Sequence, residues 1–348
     1  MGRRNKSYSK DLKQQIYDKL TAMLHAGEGT SKKEAIADGT DREKIFSYST
    51  YESYYKHCKY FANYINENHP ECTTLKAARK YVNDWLQFRT DQVDKNGNHL
   101  SAWTITLERE ALGKLYGIKP DDSDFFKAPL RRRADIKRSR GDAARDKHFS
   151  VTNNDAFIKF CKGTGCRRNI MQKLEGRDLI TLPEIKRAIK DLRIKDYLSE
   201  LEAKRLSVLE DAVSQFPDQY FFLHHRNDKG GRERYAPIIG PDQEKIVERM
   251  MLTPSDEKVW KYVPSNADIH GYRGEYATEI YKLYARNIKN IPYDRTNKGT
   301  GKKFQSEVYV CRKDEAGKKL DKAAMLKASK ALGHNRLEVV ANNYIRGL

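Results

Sequence analysis

The chain has 348 residues, with 67 Lys and Arg against 48 Asp and Glu, a formal charge of +19, and 38% of its residues are hydrophobic. That length suits about two domains, and the apolar content suffices for real cores, which excludes a largely disordered tail protein. No run of about 18 apolar residues occurs, which excludes a helical membrane span, and the charge points to a polyanionic partner such as nucleic acid.

Met1-Gly2-Arg3-Arg4-Asn5-Lys6 is not followed by an apolar segment, so no secretory signal is expected. Residues 9–26 then read as an amphipathic helix, with Leu12, Ile16, Leu20 and Leu24 at helical spacing. We set residues 1–45 apart as an N-terminal helical arm. Residues 46–120 read as a helical domain. Its first helix carries Tyr51, Tyr54, Tyr55, Cys58, Phe61 and Ile65 and ends at Pro70. Thr73-Thr74 opens a second helix through Val82 and Trp85-Leu86, and Ser101 opens a third that runs to Tyr116. A tyrosine-rich helix is more often core than a stacking platform, so these aromatics receive no functional role.

Residues 121–150 read as a basic linker. Lys127 to Lys147 holds nine basic residues, Arg131, Arg132, Arg133, Lys137, Arg138 and Arg140 among them, against three acidic ones. Such a run is either a solvated connector or a strip that lies along a DNA backbone. Residues 151–348 form a second, mixed domain. Helices are expected at 153–162, 167–175, 182–215, 241–251, 273–288, 321–331 and the C-terminus. Tyr220 to Leu223 and Arg234 to Ile239 flank the glycine turn Lys229-Gly230-Gly231, the pattern of a β-hairpin. The fold class is therefore mostly α with a small β-hairpin or sheet (α+β).

The five cysteines, Cys58, Cys72, Cys161, Cys166 and Cys311, are odd in number and scattered. That pattern suits neither a disulfide framework nor a zinc site, and a reducing, cytoplasmic compartment is expected.

Four patches carry side chains suited to phosphoryl transfer. Thr164-Gly165-Cys166-Arg167-Arg168 puts arginine at a turn into a helix, where a planar fork and a helix start both favour phosphate. Asp228-Lys229-Gly230-Gly231-Arg232-Glu233-Arg234 puts a lysine on a hairpin tip. His270-Gly271-Tyr272-Arg273 spaces His and Arg to share one helical face. Leu332-Gly333-His334 precedes Tyr344 by a short, defined distance. Taken singly, each reads as an ordinary turn, a solvated basic residue or a packed ring.

Taken in order, the four patches resemble the tyrosine recombinase (phage integrase) family. The resemblance covers the domain from about residue 150 to the end, and residues 48–116 resemble that family's helical core-binding domain less specifically. It implies a two-domain DNA clamp whose catalytic residues are Arg167 (with Arg168 as the competing choice), Lys229, His270, Arg273, His334 and Tyr344. It implies DNA strand cleavage and rejoining through a 3′-phosphotyrosine bond, without metal, ATP or other cofactor. In that reading the arginines clamp the phosphate, His334 adds a hydrogen bond to it, Lys229 protonates the leaving 5′-oxygen, and His270 assists proton transfer at the tyrosine. Duplex DNA is the implied partner. The protein is expected to be a monomer in solution and a homotetramer on DNA, associated with the nucleoid. Residues 182–215 read as a charged helical hairpin inserted between the first arginine and the lysine. Two other readings compete: a type IB topoisomerase, which uses similar chemistry, and a DNA-binding protein without catalysis.

Overall fold

The computed structural model describes residues 10–132, 149–228, 231–291, 306–311, 315–334 and 336–345. They are mostly helical with small antiparallel sheets, an α+β architecture. The chain divides into two units, residues 1–135 and 136–348.

In the first unit α1 spans Leu12–Gly27 and is followed by the short α2, Lys32–Ala37. Asp11 caps α1 by accepting from the Gln14 N–H at 2.7 Å, which satisfies one of the open donors of the first turn. α3 spans Tyr48–Asn68 and is capped by Ser47. α4 (Leu75–Ala78) is capped by Thr74, and α5 (Val82–Asp91) continues its path after a turn of 3₁₀ helix. α6 (Ala102–Tyr116) starts at the Ser101 cap and stops at Gly117. Leu12, Ile16, Leu20 and Met23 of α1 share one core with Cys58, Phe61 and Ile65 of α3 and with Leu112 and Leu115 of α6. Helix α1 of the expected arm is therefore an integral wall of this unit. Phe125, beyond the expected end of the domain at residue 120, is buried in the same core. An internal ion network crosses it, in which Glu108 accepts from Arg89 and contacts His57 at 3.3 Å.

In the second unit α7 spans Asp155–Thr164 and α8 only Arg168–Met171, shorter than the helix expected at 167–175. β1 (Leu179–Thr181) leads into α9 (Leu182–Arg193) and α10 (Glu200–Gln215). β2 (Phe221–Asp228) and β3 (Arg232–Pro237) form the expected hairpin, and β1 pairs antiparallel with β2 to give the order β1-β2-β3. α11 is Gln243–Leu252 and α12 is Ile269–Tyr284. β4 (Val308–Val310) pairs with β5 (Lys319–Asp321), which feeds α13 (Lys322–Ala331), and α14 spans Leu337–Asn343.

Successive β2 residues face opposite sides, and both sides are covered. Phe222 packs with α10, α12, α13 and α14, while Leu223 packs with α7, α8 and α11. The segment 182–215 folds as the helical pair α9 and α10 and contributes to this core. Leu209, Ala212 and Phe216 lie in the core shared with α12 and α13. α12 begins at Ile269 rather than at residue 273, because the Asp268 carboxylate accepts from the Gly271 N–H at 3.0 Å and starts the helix there.

Candidate active site

Two turns in the second unit carry the site, and two buried arginines tie them together. The first turn follows α7. Gly165 has φ +58°, and a Cβ there would overlap the Tyr276 ring, so only glycine closes this turn against α12. Arg167 emerges directly after it, at the start of α8. The second turn follows α13. Gly333 has φ +70° and lets the His334 N–H return to the Ser329 carbonyl at 2.8 Å, while Ser329 Oγ donates to the His334 carbonyl at 2.9 Å. His334 is fixed from both sides of its own backbone.

Arg273 is 1% exposed. Its Nη1 donates to the Gly165 carbonyl and its Nη2 to the Leu332 carbonyl, one in each turn. Its Nε is buried and has no partner among the described residues. Arg234 of β3 is also buried. Its Nε donates to the Ala331 carbonyl at 3.0 Å, its Nη1 to Asp228, and its Nη2 lies 2.7 Å from His225 Nδ1. Asp228 Oδ2 also accepts from Arg167 Nη1.

Tyr344 follows α14, whose Leu337, Val340 and Ala341 repeat on the helix face that the ring continues. The ring is 6% exposed. Its hydroxyl lies 3.3 Å from His334 Nε2. The His270 ring centroid is 5.2 Å from the tyrosine ring, and the Arg273 guanidinium carbon is 5.7 Å from it. A pocket of about 290 Å³ opens here, lined by Arg167, Arg168, Asp268, His270, Arg273 and Tyr344 among others.

Electrostatics in this pocket favour an anion. Three of its lining residues are arginines and one is an aspartate, Asp268, which caps α12. Burial, then the positive charge of Arg234 and Arg167, lowers the pKa of Arg273. Burial, then Arg273, Arg167 and Arg234, pushes His334 down to about 4, so its imidazole is neutral at pH 7. An anion with several oxygens would relieve this repulsion.

No protein-family model matches the chain, and no curated protein matches it.

Five of the six residues singled out from the sequence therefore meet in one place: Arg167, His270, Arg273, His334 and Tyr344. Lys229 lies outside the described residues. Arg168 is separated from Arg167 by its bonding. It donates to the carbonyls of Pro264, Ser265 and Ala267, which makes it a brace for the segment before α12. Arg131 and Arg132 are exposed at the end of the first unit's described chain, and Arg133, Lys137, Arg138 and Arg140 lie outside the described residues. Among the described residues no His, Cys, Asp and Glu cluster suits a metal, and no helix is long and apolar enough to cross a membrane.

Sequence reading missed Asp228, Arg234 and His225. The alternation of β2 would turn Asp228 away from the side that His225 faces. Instead the β2–β3 register shifts between His225 and Asp228, Asn227 takes φ +52°, and Asp228 is buried. The only sequence signal was a short polar Asn-Asp pair ahead of the glycine turn.

Proposed function

We propose that the chain is a site-specific DNA recombinase of the tyrosine type, an enzyme that breaks and rejoins duplex DNA through a covalent phosphotyrosine. One observation carries this reading. A tyrosine hydroxyl sits 3.3 Å from a neutral imidazole, beside a pocket lined by three arginines, of which Arg273 is buried.

The chemistry follows from these groups. Tyr344 Oη attacks a backbone phosphorus; an Oη–P bond forms and the P–O5′ bond breaks. Covalent catalysis splits one exchange into two transesterifications and keeps the phosphoester bond energy. A phenol has a pKa of about 10 and needs a proton acceptor at neutral pH. The resemblance gives proton transfer at the tyrosine to His270. The 3.3 Å contact favours His334 instead, and a phosphate dianion-like transition state beside it stabilises the imidazolium that results. Arg167 and Arg273 bond the non-bridging oxygens, where charge grows in the transition state. Lys229 delivers the proton that the departing O5′ takes up.

The helical first unit and the catalytic second unit act as a clamp on duplex DNA, with the basic segment around Arg131 and Arg132 on the backbone. Two cleaved duplexes must be held together, so the working form is a tetramer on DNA.

The test is covalent trapping in cells. The parent and Tyr344→Phe are expressed in parallel, DNA–protein adducts are recovered under denaturing conditions, and the attached DNA is sequenced. Adducts at one or a few sites, absent from Tyr344→Phe, are expected. Adducts spread over the genome would mean a topoisomerase. No adducts, with sites still occupied under native conditions, would mean a binding protein.

A further inference from the structure

Resting on the recombinase reading, we infer that Asp228 is a positioning residue for the reaction: its carboxylate gathers Arg167 and Arg234 onto one oxygen and so locks the turn carrying the first arginine to the turn carrying His334.

The chain of contacts is continuous. Arg167 Nη1 and Arg234 Nη1 both donate to Asp228 Oδ2. Arg234 Nε reaches the Ala331 carbonyl at the end of α13. Gly333 leaves the room, since a Cβ there would stand 2.9 Å from Arg234 Nη1. His334 follows, with Tyr344 at its Nε2. A route of hydrogen bonds and one short stretch of backbone thus links the phosphate clamp to the nucleophile, its arginine bonds charge-assisted, and Asp228 is its hub. Such bonds are strong and directional.

The backbone is shaped for this task. A register shift in the β2–β3 pair and a left-handed Asn227 reverse the facing that regular alternation would give Asp228 and place it, buried, beside Arg234. Asp228 is 3% exposed, and its side chain lies against Arg167, which keeps partial access to the pocket. Without the carboxylate, two guanidiniums would face each other and Arg167 would lose the partner that aims it.

The experiment is a single-turnover assay on a nicked duplex carrying the site recovered from cells, with the parent, Tyr344→Phe, Asp228→Asn and Asp228→Glu. At saturating DNA, Asp228→Asn is expected to lower the rate constant for adduct formation by about 10²-fold, the scale of a misplaced catalytic group, with Kd and final adduct amplitude unchanged. Asp228→Glu recovers part of that loss. A merely structural role would lower the amplitude through unfolded protein and leave the rate constant alone, which would overturn the inference. Should Asp228→Asn fail to fold by circular dichroism, Asp228→Glu carries the test: a reduced rate constant at unchanged Kd supports the inference, and a parental rate constant overturns it. A parent that forms adducts, with Asp228→Asn equally fast, overturns the inference alone. A parent that forms no Tyr344-dependent adduct overturns the recombinase reading and this inference together.

Discussion

At the residue scale, the site is a balance of charge in which one aspartate holds two arginines and a third arginine is held by carbonyls. Arg273→Ala removes the guanidinium that lies between Gly165, Leu332 and the pocket. Adduct formation is expected to fall by about 10²–10³-fold, the usual cost of losing one preorganised donor, with DNA binding retained. Loss of binding with unchanged cleavage per bound complex would make Arg273 a contact for docking only. His334 gives a pH signature. Its folded pKa of about 4 lies below the ordinary 6.5 because of burial and its cationic neighbours. Between those values the unfolded chain binds a proton that the folded chain does not. Its contribution is therefore complete above about pH 6.5 and is lost as pH falls toward 4. Melting temperatures from pH 7.5 to 4.5 should drop more steeply for the parent than for His334→Gln, in which His225, also depressed by burial, is unchanged. Parallel curves would contradict this assignment. Arg167, His270, Arg273, His334 and Tyr344 were legible as a group because their residue types and order resemble one family's pattern, and the structure brings them together. Asp228 was illegible because a bulge reverses its facing, and no residue pattern announces a bulge.

At the element scale, long amphipathic helices were readable and short strands were not. The periodic apolar residues of α1, α3 and α6 marked those helices closely. β1, β4 and β5 have three residues each, too few for an alternation to register. The start of α12 depended on one capping aspartate, and the role of α9 and α10 depended on packing that no local pattern encodes. α1 shows the same limit: its stripe revealed a helix but not its partner. Because Leu20 is fully buried against that partner, Leu20→Ala should destabilise the first unit by about 2–5 kcal/mol. Chemical denaturation of the full chain measures this, and an unchanged unfolding transition would mean that α1 is a detachable arm after all. Gly165→Ala should destabilise the second unit, since the Tyr276 ring must move and the φ of +58° is strained for alanine.

At the scale of the whole molecule, a formal charge of +19 suits the nucleic-acid partner that the proposed function calls for. Each arginine on the backbone displaces a counterion and so steepens the salt dependence. Replacing the exposed Arg131 and Arg132 by glutamine should weaken binding to every DNA sequence alike and flatten the log–log salt slope by about 0.9 for each phosphate left unneutralised. An unchanged slope would show that this segment does not touch DNA. The recombinase reading itself stands or falls on one atom, the Tyr344 hydroxyl. The most direct measurement is mass spectrometry of the nuclease-trimmed, trypsin-digested covalent adduct. The expected result is a residual nucleotide attached through phosphate to Tyr344, in the peptide that follows Arg336, with a 5′-hydroxyl on the released strand. A nucleotide on any other residue, or a 5′-phosphate on the released strand, would contradict it.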